Sequence, residues 1–156
     1  MLKDKKIIII GDKDGIPGPA IEECVKTSGA QVVFTDTACF TCSLAGAMDV
    51  KNQQAIKELA YKHGEENLVV VLGGGDVDTC DITAETISGG DITEVGPLTN
   101  VILGIPVYHI FEKEIRDECK ADVYEQRCAI MEMVLDMEKI TDTIKATRLK
   151  YAKYKI

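Results

Sequence analysis

The sequence predicts a single-domain, three-layer α/β fold of the Rossmann-like or flavodoxin-like kind, with a mostly parallel sheet of four to five strands. Short runs rich in Val and Ile, at residues 7–10 and 67–72, are typical of strands buried on both faces. Segments with helical spacing of apolar residues alternate with these runs along the chain. Such alternation is the pattern of parallel strands joined by crossover helices.

The first strand is predicted from four consecutive isoleucines at residues 7–10. Residues 11–15 carry the glycines and aspartates of a turn, and Pro17 or Pro19 suits a first helical turn, where a missing N–H costs nothing. The helix after this turn is indicated by apolar residues at helical spacing, namely Ala20, Ile21, Cys24 and Val25. Residues 31–34 predict the second strand.

An amphipathic helix is predicted over residues 49–63, where Gly64 stops it. Residues 67–72 form the third predicted strand, which three glycines at 73–75 interrupt. A short helix follows over residues 79–87, and residues 88–97 read as a loop.

Residues 106–110 predict a fourth strand, whereas residues 99–103 fit helix and strand equally well. The C-terminal third is predicted to be helical from two series of apolar residues at helical spacing. These are Tyr124, Cys128, Met131 and Leu135, then Ile140, Ile144 and Tyr151. The two series differ in phase, which indicates two helices or a bend near Asp136.

Composition and charge narrow the classes of partner. With 156 residues and 46% hydrophobic content, the chain suits one domain spanning residues 1–156. The net charge of −8 provides no basic stripe for nucleic acid or an anionic membrane. No signal-peptide pattern and no run of about 18 apolar residues is found, so we expect a cytoplasmic protein that meets protein partners.

Three loops are expected to meet at one edge of the sheet, because each directly follows a predicted strand. They comprise residues 12–15, 35–42 and 73–78. The candidate residues that these loops contribute around the cysteines are Asp12, Asp14, Gly73, Gly74 and Asp76.

Cys39 and Cys42 are the candidate catalytic residues. The Cys-x-x-Cys spacing lies between a strand and a predicted helix, which would place Cys42 at a helix N-terminus, where a thiolate is favoured. Redox or nucleophilic use is favoured over inert thiols or half of a zinc site. A structural zinc commonly needs four ligands, whereas this chain offers one close pair, lone cysteines and two histidines.

Other candidate sites are weaker. The backbone N–H groups of residues 73–75 could bind a phosphate, but Asp76 and Asp78 place negative charge where the anion would lie. A strand-to-helix turn with an aspartate cap is therefore favoured. Residues 12–15 read as an exposed turn. We expect the remaining cysteines to pack as small apolar residues, His63 to be a helix C-terminal cation and His109 to have a satisfied ring.

The segment from Cys39 to Asp49 resembles the active-site stretch of a known family, the A proteins of glycine/sarcosine/betaine reductase complexes. The resemblance extends over much of the chain, through residues 8–12, 14–24, 66–73 and 131–136. Members of that family carry a Cys-x-x-selenocysteine motif, and Cys42 falls on the selenocysteine position.

The resemblance implies a carrier and redox role in amino-acid-fermenting anaerobes. Residue 42 would accept a carboxymethyl group from protein B and pass the two-carbon unit to protein C, which forms acetyl phosphate. Cys39 would then bridge to residue 42, and thioredoxin would reduce the bridge. Selenium at position 42 would be the only special element, without a metal or dissociable cofactor.

Two other functions remain open from the sequence. One is a general thiol-disulfide oxidoreductase of thioredoxin type, for which a cis Ile105–Pro106 bond beside the cysteines would be the sign. The other is a scaffold without thiol chemistry. If the protein is a carrier, we expect its cysteines to lie on an exposed edge, and we expect the protein to have no small-molecule substrate pocket of its own.

Overall fold

The sheet has four parallel strands in the order β2-β1-β3-β4. The computed structural model describes residues 1–156, apart from the side chain of Leu44. The strands are β1 (Lys6–Asp12), β2 (Gln31–Ala38), β3 (Leu68–Leu72) and β4 (Val107–His109). All four predicted strands are therefore present.

Helices cover both faces of the sheet, which confirms the predicted three-layer α/β fold. They are α1 (Gly18–Lys26), α2 (Val50–His63), α3 (Val77–Gly89), α4 (Lys113–Arg116), α5 (Ala121–Arg127), α6 (Ala129–Val134) and α7 (Met137–Tyr151). None of these helices combines the length and apolar character that a bilayer span requires.

Alternate residues of the central strands form two separate cores. Ile8 and Ile10 of β1 pack with residues of α2, α3 and α7, whereas Ile7 and Ile9 pack with residues of α1, α4 and α5. Side chains of successive strand residues point to opposite faces. A run of four isoleucines therefore supplies both cores at once.

Helix ends follow local capping chemistry. The Asp49 carboxylate accepts from the Asn52 N–H (3.1 Å) at the start of α2, and Gly64 ends that helix with a φ of 85°. Asp136 caps α7 in the same way (3.2 Å), which confirms the break predicted there. A second break at Cys128 separates α5 from α6.

Two stretches differ from the sequence interpretation. Residues 99–103, which fitted helix and strand alike, form neither. Residues 88 and 89, predicted as loop, continue α3, because Gly90 is the first residue whose φ, at 105°, leaves the helical range.

Arg148 of α7 closes the outer edge of β4. Its guanidinium donates to the Val107 carbonyl (2.8 Å) and to both carboxylate oxygens of Glu112 (2.9 and 2.7 Å). Glu112 also accepts from the His109 N–H (2.9 Å). The ion pair is largely buried, with side chains 11% and 4% exposed, so polar groups that a free strand edge would present are satisfied.

We predict that Arg148→Met lowers the free energy of unfolding by about 3–5 kcal/mol, because it leaves the Glu112 carboxylate buried and unpaired. Chemical denaturation measures the change. The matched control Lys145→Met, at an exposed position on the same helix, should stay within about 0.5 kcal/mol of the original chain. Equal stability of the two variants would contradict this role.

Candidate active site at the carboxyl edge

Three loops meet at the edge formed by the carboxyl ends of β1, β2 and β3, called the carboxyl edge below. Asp12 of β1 joins them. Its Oδ1 accepts from the Phe40 N–H (3.4 Å), between the two cysteines, and its Oδ2 accepts from the Gly75 N–H (2.9 Å), after β3. The loops predicted to lie together are thus connected through one carboxylate.

Asp12 is buried, with 1% of its surface exposed, so the prediction of an exposed turn at this residue was wrong. Asp14, by contrast, is exposed as expected, and its N–H also donates to Asp12 (3.3 Å). The reason is that β1 continues to Asp12, two residues past the isoleucines, where loops from both neighbouring strands enclose the side chain.

Glycines in the loops after β1 and β3 permit close backbone packing. A Cβ atom on Gly15 would lie 2.1 Å from the Gly73 carbonyl oxygen, and one on Gly74 would lie 2.2 Å from the Cys80 Sγ and 2.8 Å from the Phe40 ring. Only residues without a side chain fit at such approaches. Close packing therefore accounts for the glycines at 15 and 74.

Asp76 caps α3, as the sequence predicted. Its carboxylate accepts from the Thr79 N–H (2.9 Å), and its backbone is extended as a cap requires. The turn after β3 is therefore the strand-to-helix turn with an aspartate cap that was favoured over a phosphate cradle.

His109 supports the glycine loop from the far side. Its Nδ1 accepts from the Phe111 N–H (3.2 Å), so Nε2 carries the proton and donates to the Gly74 carbonyl (2.9 Å). Burial lowers the pKa of His109 to about 4, which keeps the ring neutral at pH 7. The expected satisfied ring is confirmed.

Cys39 and Cys42 are joined by a disulfide, with Cα atoms 5.3 Å apart. The two residues differ in accessibility, since Cys39 is half-buried at the end of β2 and Cys42 is exposed. The Cys42 N–H donates to the Cys39 carbonyl (3.2 Å), which closes a tight turn around Phe40 and Thr41. The spacing therefore allows reversible bond formation, with Cys42 facing solvent.

Cys42 does not lie at the start of α2, which corrects the sequence interpretation. That helix begins eight residues later, at Val50. Asp49 provides its cap, and before it a short 3-10 turn spans Leu44–Gly46, in which Ala45 has a φ of 54°. A positive φ interrupts a helix, so the N-terminal dipole of α2 is not aimed at Cys42.

A cavity of about 420 Å³ adjoins the cysteines and is called the Cys42 cavity below. Its lining includes both cysteines and the charged or polar side chains of Lys13, Asp36 and Asn52. The carrier interpretation predicts an edge without a pocket, and the structure differs from it by having this cavity beside the cysteines. A larger cavity of about 540 Å³, lined partly by Tyr108 and Arg148, lies at the β4 edge, away from the disulfide.

The other four cysteines, Cys24, Cys80, Cys119 and Cys128, are all buried, which confirms their predicted packing role. Burial raises the pKa of Cys80, and nearby Asp12 and Asp76 raise it further. Burial likewise raises the pKa of Cys119 to about 12. The hydrogen bond with Cys128 lowers the pKa of Cys24, but that thiol is fully buried. Cys42 is the exposed cysteine, so it is the one best placed to react.

Two further observations concern metal ligands and His63. Among the described side chains, no three His, Cys, Asp or Glu residues form a group able to hold a metal. His63 lies in the last turn of α2 as predicted. Desolvation, with Lys6 and Lys62 nearby, lowers the pKa of His63, which opposes the expected cationic form at neutral pH.

Pro106 is not beside the cysteines. It precedes the amino end of β4, whereas Cys39 follows the carboxyl end of β2. The two strands are themselves three strand spacings apart, or about 14 Å. The Ile105–Pro106 bond is trans, like the other peptide bonds of the described backbone. The arrangement expected of a thioredoxin-type enzyme is therefore not present here.

The chain is similar in sequence to one known family over most of its length. The sequence model of one family, described as glycine reductase complex selenoprotein A, matches residues 2–148. A glycine/sarcosine/betaine reductase complex component A from Symbiobacterium thermophilum is 52% identical, over 97% of each chain. No solved structure matches the chain.

Two more relatives bear the same description. The component A of Carboxydothermus hydrogenoformans is 50% identical over 99% of each chain. That of Clostridium botulinum is 47% identical over 99% of this chain and 98% of the relative.

We predict that Asp12→Asn loosens both loops that the carboxylate connects. An amide has one acceptor oxygen instead of two, so the variant should lose about 1–3 kcal/mol in free energy of unfolding. Hydrogen exchange at the Phe40 and Gly75 amides should accelerate. Asp14→Asn is the matched control, and equal exchange rates in the two variants would refute the connecting role.

Proposed function

Because the chain belongs to the glycine reductase complex selenoprotein A family, we propose that it is the carrier and redox component of a glycine, sarcosine or betaine reductase. In this proposal residue 42 carries the two-carbon unit and Cys39 is its redox partner. The observation that carries the proposal is the Cys39–Cys42 bond at an exposed edge, with Cys42 accessible and Cys39 half-buried.

The proposed cycle begins when the reduced atom at position 42 takes a carboxymethyl group from protein B. A bond forms between that atom and the methylene carbon, and the bond to protein B breaks. The group is then a thioether, or a selenoether where the family has selenocysteine. Cys39 remains a free thiol at this stage.

Release to protein C completes the redox step. The bond between residue 42 and the methylene carbon breaks, and the electron pair goes with the carbon, which takes a proton to become a methyl group. The carboxylate carbon bonds to a nucleophile of protein C and loses one oxygen as water, so the unit becomes an acyl group on protein C. Cys39 loses its thiol proton and bonds to residue 42, so this pair loses the two electrons that the carbon gains. Thioredoxin then returns two electrons and two protons, and phosphate releases the acyl unit from protein C as acetyl phosphate.

The geometry supports a carrier in two respects. An atom that must meet two enzymes in turn has to be accessible, and Cys42 is exposed. The electron pair must come from a neighbour within bonding reach, and Cys39 is already bonded to it. The net charge of −8 would also accelerate transient encounters with basic partner surfaces, an effect that salt weakens.

We predict that Cys42, rather than Cys39, is the nucleophile of the reduced protein. Limiting iodoacetamide followed by peptide mass mapping should label Cys42 several-fold more than Cys39, since Cys42 is the exposed member. The Cys39→Ser variant should retain this labelling and Cys42→Ser should lose most of it. Preferential labelling of Cys39 would overturn the assignment and favour a pair in which the first cysteine attacks.

The relay itself can be tested by mixing the chain with proteins B and C, glycine, phosphate and a dithiol. We expect a carboxymethyl adduct on residue 42 and formation of acetyl phosphate, both faster for a selenocysteine form, because a selenol is more ionised at neutral pH. Cys39→Ser should load the adduct but fail to release acetyl phosphate. A selenocysteine form that yields neither product would refute the proposed function.

A further inference from the structure

The Cys42 cavity has one cationic side chain in its lining. Lys13 is that residue, and the other charged groups there are the carboxylates of Asp36 and Asp49. Together with the net charge of −8, these carboxylates would repel a negatively charged group brought to Cys42. A ligand that carries a carboxylate therefore depends on Lys13 for attraction.

Both cavity carboxylates already have partners within the protein. Asp36 Oδ2 accepts from the Asn52 side-chain amide (2.9 Å), and Asp49 Oδ1 accepts from the Asn52 backbone N–H (3.1 Å). Asn52 itself is buried. The asparagine thus holds both acidic side chains in place, and the hydrogen bonds occupy one oxygen of each.

The ammonium group of Lys13, in contrast, has no partner within the part of the protein that the structure describes. No ion pair or hydrogen bond among the described side chains involves it, and the residue is exposed. Its backbone is nevertheless fixed, because its N–H donates to the Ala38 carbonyl (2.8 Å), one residue before Cys39. A free cation on an anchored backbone beside the disulfide is an arrangement suited to binding an anion there.

We propose that Lys13 binds the carboxylate of a small acid attached to residue 42. This inference rests on the proposed function and adds the group that recognises its cargo. In a carboxymethyl adduct, one methylene separates the chalcogen from the carboxylate, so the negative charge stays within the cavity that Lys13 lines. Lys13 is a substrate-binding residue in this role, and it takes no part in the electron transfer.

The same contact distinguishes the loaded acid from the released acyl unit. The acyl unit that leaves has no free carboxylate, so its attraction to Lys13 disappears as the unit is transferred. Once thioredoxin has reduced the pair, the empty site presents a free cation and a free nucleophile to the next acid. Neutral groups of the same size would gain nothing from Lys13.

Two alkylating reagents test this directly on the protein alone. Iodoacetate and iodoacetamide both alkylate a thiolate with loss of iodide, but only iodoacetate leaves a carboxymethyl group and approaches with a negative charge. The measurement is the ratio of the two rates at Cys42 of the reduced protein, followed by mass mapping. Lys13→Met should lower the iodoacetate-to-iodoacetamide ratio roughly two- to fivefold, the range of an exposed ion pair.

Two further variants separate local binding from a general charge effect. Lys13→Arg keeps the cation and should keep the ratio. Lys62→Met removes the same charge from the far end of α2, about 15 Å along the helix from Asn52, and should leave the ratio unchanged. A ratio unaffected by Lys13→Met, or lowered equally by Lys62→Met, would overturn the inference.

A structural effect of the substitution is also distinguishable, since it would slow both reagents equally and leave their ratio unchanged, which counts against the inference. Proteins B and C are absent from this experiment. Failure here therefore leaves the proposed relay standing, while failure of the relay assay would not alter the alkylation ratio.

Discussion

The candidate site depends on the hydrogen bonds that the buried carboxylate of Asp12 accepts. A charge at the end of a central strand must be hydrogen-bonded, because an unpaired buried carboxylate is strongly destabilising. Asp12 meets this requirement with backbone N–H groups of the two neighbouring loops, at Phe40 and Gly75. The position of the cysteine loop thus follows from the need to satisfy one side chain of β1.

The rest of the edge is arranged around that constraint. Gly15 and Gly74 allow loops to approach within distances that any Cβ atom would prevent, and His109 holds the Gly74 carbonyl from the opposite side. Phe40 is buried between the two cysteines, so the loop is anchored by its centre. The consequence is a turn whose middle is fixed while Cys42 remains exposed, which is what a carrier of a reactive group requires.

The outer side of β4 and the carboxyl edge of the sheet have different properties. At the β4 edge, Arg148 and Glu112 satisfy outward-facing backbone groups and dock the last helix. At the carboxyl edge near β2, the structure leaves a cation and a disulfide accessible beside a cavity. Accessibility there, rather than a helix dipole, distinguishes Cys42 from the buried thiols, since α2 begins only at Val50.

The sequence by itself determined the fold class, the four strands, the cap at Asp76, and the break at Asp136. These depend on residue periodicity and on contacts within one turn of chain. It also singled out Cys39 and Cys42 as the candidate pair, which the structure joins by a disulfide, and, by resemblance, the family. The order of residue types along the chain carries that information without any contact between distant segments.

Only the tertiary structure decided the burial of Asp12, the support of Gly74 by His109, and the free ammonium of Lys13 beside Cys42. Each depends on residues that lie 25 or more positions apart and meet because parallel strands bring their carboxyl ends to one edge. The start of α2 also needed the structure. The small residues after Cys42 suit a helix and a turn alike, and the cap at Asp49 with the positive φ at Ala45 selects the turn.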